Sequence, residues 1–310
     1  MKFAFVFPGQ GSQSVGMLNA FADHAIVRET VQEASDALNQ DLGKLIAEGP
    51  ADELNLTTNT QPAMLTAAYA CYRAWQHAGG VAPAIVAGHS LGEYTALVAA
   101  GALQFRDAVP LVRFRAQAMQ AAVPVGIGGM AAILGLDDDT VRAACAEASA
   151  EGVVEAVNFN AAAQVVIAGH KAAIEKACEI AKAKGAKRAL VLPVSAPFHS
   201  SLLKPASDQL REYLAGIEVS VPRIPVVNNV DVAQVDEPAA IKDALVRQAA
   251  GAVRWVECVQ TIGKQGVTHV IECGPGKVLA GLTKRIDGNL TGAAITDPAS
   301  LDEMLKLIMA

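Results

Sequence analysis

The chain has 310 residues, 52 % hydrophobic and 18 % charged, enough for one large domain or a domain with an insertion around a sizeable core. Its formal net charge of −6 argues against general nucleic-acid binding, and an acidic partner would need a local basic patch. Cys71, Cys145, Cys178, Cys258 and Cys273 are scattered with no C-x-x-C pair, which speaks against a zinc site or a disulfide framework and for a reduced, cytoplasmic protein.

Met1-Lys2 lead into an apolar run that Pro8 ends, too short for a signal peptide. No run reaches the ~18 apolar residues of a membrane span, so no membrane association is expected. The apolar run at 3–7 predicts a buried strand, followed by the glycine-rich loop Pro8-Gly9-Gln10-Gly11-Ser12-Gln13. A helix is predicted over 61–77, stopped by Gly79-Gly80. A strand at 84–87, a helix at 93–100 and a helix at 106–122 continue a β/α alternation, hence a largely parallel sheet. Beyond Pro124 the pattern changes. Strand 129–136, helix 139–150, strands 153–159 and 164–168, helix 171–184 and strand 189–194 read β-α-β-β-α-β, a ferredoxin-like order. Residues 125–194 are therefore expected to form a small unit inserted into a larger one made of 1–124 and 195–310. The alternation resumes with helix 202–214, strand 225–228, helices 239–249 and 253–264, and strand 269–272.

Gly88-His89-Ser90-Leu91-Gly92 lies between the apolar run and the next helix. This G-x-S-x-G in a strand–turn–helix setting predicts a tight elbow, with Ser90 in a strained conformation and a helix N-terminus behind it. Ser90 is the candidate nucleophile of acyl chemistry, which a hydrolase, a thioesterase and an acyltransferase all begin in the same way.

Six histidines could serve as its base. His24 and His77 are assigned to polar helix faces. His89 adjoins the serine but should point away from it, His170 opens a helix and His269 opens a strand. His199 lies in a loop between a strand end and a helix, where catalytic groups of open α/β sheets collect; it is either the base or a capping loop histidine. Arg115 is spaced with Leu111, Val112, Ala118 and Met119 on an apolar stripe, with no acidic residue three or four positions away. A buried arginine keeps its charge, so it calls for a distant carboxylate, a snorkelling path or a substrate carboxylate. Gly9-Gln10-Gly11 lacks the third glycine of a dinucleotide fingerprint, and Gly274-Pro275-Gly276-Lys277 lacks phosphate-loop spacing. The elbow gives the first loop another use: Gln10 and Leu91 would supply the two N–H groups of an oxyanion hole.

Together these stretches, with Glu93-Tyr94 after the elbow, Pro193 to Ser200 and Glu272 to Lys277, resemble the malonyl-CoA:acyl carrier protein transacylase family along the whole chain. The resemblance implies an α/β-hydrolase-like core with a ferredoxin-like subdomain. It implies malonyl transfer from malonyl-CoA to the phosphopantetheine thiol of acyl carrier protein in fatty acid biosynthesis, by ping-pong kinetics and without a metal or other cofactor. Ser90 and His199 would form a dyad, with Gln248 orienting the histidine through its carbonyl. Arg115 would grip the malonyl carboxylate, and Asn160 would lie near the site. Phe198 before His199 goes with malonyl over methylmalonyl. Ala161-Ala162-Ala163 stands where the family often has Ser-Pro-Gly, and Ala252 where it often has proline; both changes should loosen the pocket rim. A monomer is expected, with Lys187, Arg188, Lys284 and Arg285 flanking the cleft mouth and steering the acidic carrier. The rival readings are an esterase or thioesterase on the same elbow and a catalytically silent carrier-binding scaffold.

Overall fold

β1 (Phe3–Phe7) is buried along its whole length. Alternate side chains part to opposite faces. Phe3, Phe5 and Phe7 meet Trp75 and Tyr72 edge-on, while Ala4 and Val6 join a second cluster with Trp255 and Val259. A strand covered on both faces belongs inside a parallel sheet, which is why its sequence is a continuous apolar run.

The protein is described here by a computed structural model covering residues 1–194 and 196–309. After β1 come α1 (Ala25–Leu38), α2 (Leu42–Glu48), α3 (Ala51–Leu54), α4 (Thr57–His77), β2 (Ile85–Gly88), α5 (Gly92–Ala99) and α6 (Phe105–Ala122). Next are β3 (Gly128–Leu134), α7 (Asp138–Ala148), β4 (Val154–Ala161), β5 (Gln164–His170), α8 (Lys171–Ala183) and β6 (Arg188–Val191). The chain continues through α9 (Lys204–Ala215), β7 (Val226–Val227), α10 (Pro238–Ala249), α11 (Trp255–Lys264), β8 (His269–Cys273), α12 (Val278–Ile286), β9 (Thr291–Ile295) and α13 (Pro298–Met309).

Two sheets result. One is wholly parallel, in the order β7-β2-β1-β8-β9. The other is wholly antiparallel, in the order β4-β5-β3-β6, the strand arrangement of a ferredoxin-like unit. On one face of the second sheet, Ile133, Val165 and Ile167 pack with Ala144, Ile174 and Ala177 of α7 and α8. From the other face Met130, Val166 and Ala168 join the main core, which closes the small sheet over the carboxyl ends of the parallel one. The fold is thus α/β with an inserted ferredoxin-like unit. Ser195, where the sequence places the return to the larger unit, lies outside the described residues. Among the described residues no helix is long and apolar enough to cross a membrane.

Some element boundaries move for physical reasons. The strand expected over 189–194 stops at Val191, shortly before Pro193. The helix expected from 253 begins at Trp255, because Val253 bridges to Asn158 and bonds the Val157 carbonyl. The helix expected to reach 150 ends at Ala148 and tightens into a 3-10 turn. His24 is not on a helix face: it precedes α1 and its ring packs edge-on against Phe21.

Candidate active site

The elbow is built by steric necessity. Between the end of β2 and the start of α5 the chain reverses in three residues, with Ser90 at φ +52°. A Cβ on Gly88 would lie 1.8 Å from the Gly92 carbonyl carbon, and one on Gly92 would lie 2.1 Å from the Phe7 oxygen. A left-handed serine costs about 1–3 kcal/mol and persists only where its surroundings over-determine it. Asn229, just past β7, supplies two of those constraints. Its Oδ1 accepts from the Ser90 N–H at 2.8 Å and its Nδ2 donates to the Gly88 carbonyl at 2.8 Å.

His199, itself at φ +66°, reaches Ser90 from the loop before α9. Its Nε2 lies 2.7 Å from Ser90 Oγ, and its Nδ1 lies 2.9 Å from the Gln248 backbone carbonyl. That carbonyl belongs to the last turn of α10, where helix carbonyls lack intrahelical donors. A carbonyl can only accept, so Nδ1 carries the proton and Nε2 is left as acceptor for the serine hydroxyl. Burial, and after it the Arg115 charge, hold the His199 pKa down to about 3.

Arg115 comes from α6 and is buried. Its Nη1 donates to Gln61 Oε1 at 2.8 Å, and its Nη2 donates to Ser90 Oγ at 3.1 Å and to Gln248 Oε1 at 3.0 Å. The guanidinium also lies 5.3 Å from the Tyr94 ring centre. Among the described residues it makes no ion pair, and its Nε has no hydrogen-bond partner. Of the partners the sequence left open, an internal salt bridge is therefore not found among the described residues.

These groups open into a cavity of about 230 Å³ between the two sheets. Gln10, Gln61, His89, Ser90, Arg115, Asn158, Asn160 and His199 give it a polar side, while Met119, Met130, Val166, Leu192, Val194 and Phe198 give it an apolar one. His89 lines it too, with its Nε2 turned to Asn160 Oδ1 at 2.8 Å rather than to Ser90. The loop after β1 lies against the elbow: a Cβ on Gly9 would sit 2.6 Å from the His89 oxygen. Among the described residues the N–H groups of Gln10 and Leu91 have no hydrogen-bond partner. Nor does any cluster of three or more His, Cys, Asp or Glu among them have the makings of a metal site.

Sequence reasoning brought Ser90, His199, Arg115, Gln10, Leu91, Gln248, Asn160 and Phe198 to this region. It missed Gln61, Asn158, Glu93 and Asn229. The available signal was polarity out of place: Gln61 and Glu93 stand within largely apolar buried stretches of α4 and α5. The four basic residues are all exposed. Arg188 pairs with Leu134, Leu134 pairs with Gln164, and Arg285 donates to Gln164 Oε1 at 2.7 Å. The two basic stretches thus meet at one end of the antiparallel sheet, one pleat beyond the Val166 that lines the cavity.

Residues 4–287 match the acyl transferase domain family. The chain belongs to that family. It is 58 % identical to the malonyl CoA-acyl carrier protein transacylase of Salmonella typhimurium strain LT2, over 98 % of this chain and 99 % of the relative. It is 57 % identical to the protein of that description from Escherichia coli K12, over 99 % of each chain. The acyl-carrier-protein S-malonyltransferase of Burkholderia pseudomallei 1710b superposes with a TM-score of 0.98 at 85 % identity, covering 99 % of this chain and 100 % of that one. A malonyl-transacylase solved in complex with a type II PKS acyl-carrier protein matches with a TM-score of 0.98 at 52 % identity, covering 99 % and 100 %.

Proposed function

We propose that this chain moves a malonyl group from malonyl-CoA to the phosphopantetheine thiol of acyl carrier protein, through an ester on Ser90, in fatty acid biosynthesis. The observation that carries this reading is Arg115: a buried cation that makes no ion pair among the described residues and lies one hydrogen bond from the nucleophile oxygen. The malonyl carboxylate is one methylene from the carbonyl that Ser90 attacks, so both ends fit this spacing. In the first half-reaction Nε2 of His199 takes the Oγ proton as Oγ bonds to the thioester carbon. The Gln10 and Leu91 N–H groups hold the oxyanion. The C–S bond then breaks and the CoA sulfur leaves with the proton from His199. In the second, His199 takes the proton of the carrier thiol, sulfur attacks the ester, and Ser90 recovers its proton. These steps need no metal and no redox cofactor, and every group in them comes from one chain, so a monomer should suffice. Chromatographic separation of malonyl-carrier from free malonate tests the reading. Carrier-independent release of malonate would make the protein a hydrolase, and no reaction at all would make it a scaffold.

A base held near pKa 3 stays neutral well below the usual imidazole range. Its neutral form is the competent one and is lost only as pH falls through that value. The single-turnover acylation rate should therefore stay level from pH 8 to about 5. A quenched-flow profile with an acid limb near pH 6.5 would show an ordinary imidazole instead.

For docking, the joined basic end of the small sheet should steer an acidic carrier, with an attraction screened over about 8 Å at 0.15 M salt. Reversing Lys284 and Arg285 to Glu should raise the KM for carrier protein and flatten its salt dependence. Malonylation by malonyl-CoA should change much less. Equal damage to both half-reactions would remove these residues from docking.

A further inference from the structure

Glu93 lies three residues past the nucleophile and is 2 % exposed. Every residue of α5 from Gly92 to Val98 is buried, and Glu93 is the carboxylate among them. Among the described residues this carboxylate makes no ion pair, and a desolvated carboxylate in that state is a net cost to folding; burial pushes it up to about 7, although its hydrogen bonds and the Arg115 charge pull the other way. Stability is thus a poor reason for a carboxyl group here.

Its hydrogen bonds suggest a better one. Glu93 Oε2 accepts from the Asn229 N–H at 2.8 Å and from Gln248 Nε2 at 3.0 Å. Asn229 holds the elbow. Gln248 links the rest: Nε2 also donates to the Ser90 carbonyl at 2.9 Å and to Asn229 Oδ1 at 3.4 Å, Oε1 accepts from Arg115, and the main-chain carbonyl accepts from His199. The two ends of the Gln248 amide are nearly equal in shape and opposite in hydrogen-bonding sense. With Nε2 held between Glu93 and the Ser90 carbonyl, Oε1 must face the guanidinium. Turned over, the amide would set donor against donor at Arg115 and acceptor against acceptor at Glu93.

We infer that Glu93 is a positioning residue: together with the Ser90 carbonyl, its Oε2 holds the Gln248 amide in place and so the Arg115 guanidinium that discriminates between acyl groups. The inference rests on the reading of Arg115 as the grip on the malonyl carboxylate. What it requires at position 93 is an acceptor oxygen at that reach.

The test is the ratio of kcat/KM for malonyl-CoA to that for acetyl-CoA in Glu93→Gln and Glu93→Leu, with Arg115→Ala alongside. Glu93→Gln keeps an acceptor oxygen and should hold the ratio within about threefold of wild type. Glu93→Leu keeps the volume but no acceptor, and should lower the ratio about tenfold or more, with KM for malonyl-CoA rising more than kcat falls. If Glu93→Leu does not fold, Glu93→Asp takes its place, since it draws the oxygen back by one methylene, and the same fall is expected. A wild-type ratio in the Leu or Asp variant, or a fall in Gln as deep as theirs, overturns the inference. An unchanged ratio in Arg115→Ala overturns both this inference and the reading it rests on; a fall there without one in the Glu93 variants overturns this inference alone.

Discussion

Ser90→Ala should abolish malonyl-enzyme formation and carrier transfer together, with a loss of about 10⁶ in turnover, the scale seen when a serine nucleophile is deleted. The thermal transition should move little. The bond from the Ser90 N–H to Asn229 is made by the main chain and survives the change, and alanine at φ +52° is no worse placed than serine. His199→Ala should cost less, about 10²–10⁴ in acylation, because the oxygen nucleophile and the Arg115 donor remain. Rapid-quench measurement of the acylation step separates the two variants. A His199 loss below about tenfold would point to another base.

Arg115→Ala should change the choice of acyl group. Removing one partner of a desolvated charge pair costs about 2–5 kcal/mol, or about 30- to 5,000-fold in malonyl transfer. An acetyl group has no carboxylate, so its transfer should fall little or rise. The variant also strips Gln61 and Gln248 of a donor, and that disturbance would fall on both substrates alike. The ratio of the two rates, rather than either alone, therefore isolates the carboxylate grip. Equal loss on both substrates would make Arg115 a structural residue.

The elbow was legible because its demands are local. Two glycines and a serine within five residues, set between an apolar run and a helix, have one steric solution, and Gly88 and Gly92 have no room for a Cβ. Arg115 was legible as a charge on an apolar stripe, and His199 as a histidine in the right kind of loop. The network around them was not. Gln61 meets Arg115 from 54 positions away and Gln248 meets the Ser90 carbonyl from 158, and no periodicity reports such a contact. Gln248 entered only through a family resemblance. The α1–α3 region also carried little signal. α2 and α3 span seven and four residues, too short for a repeat, and the buried stripe of α1 is Val27, Thr30 and Ala34, small or polar at two positions of three. Tertiary packing holds these helices more than their own pattern does.

In the proposed reaction Ser90 carries the malonyl group between two thiols. The most direct measurement is intact-protein mass spectrometry after mixing with malonyl-CoA, with the adduct mapped by peptide, followed by addition of holo acyl carrier protein. One malonyl group should appear on the peptide containing Ser90, persist in buffer, and move to the carrier when it is added. An adduct on another residue, or an unmodified enzyme accompanied by free malonate, would exclude Ser90 as the carrier of the malonyl group.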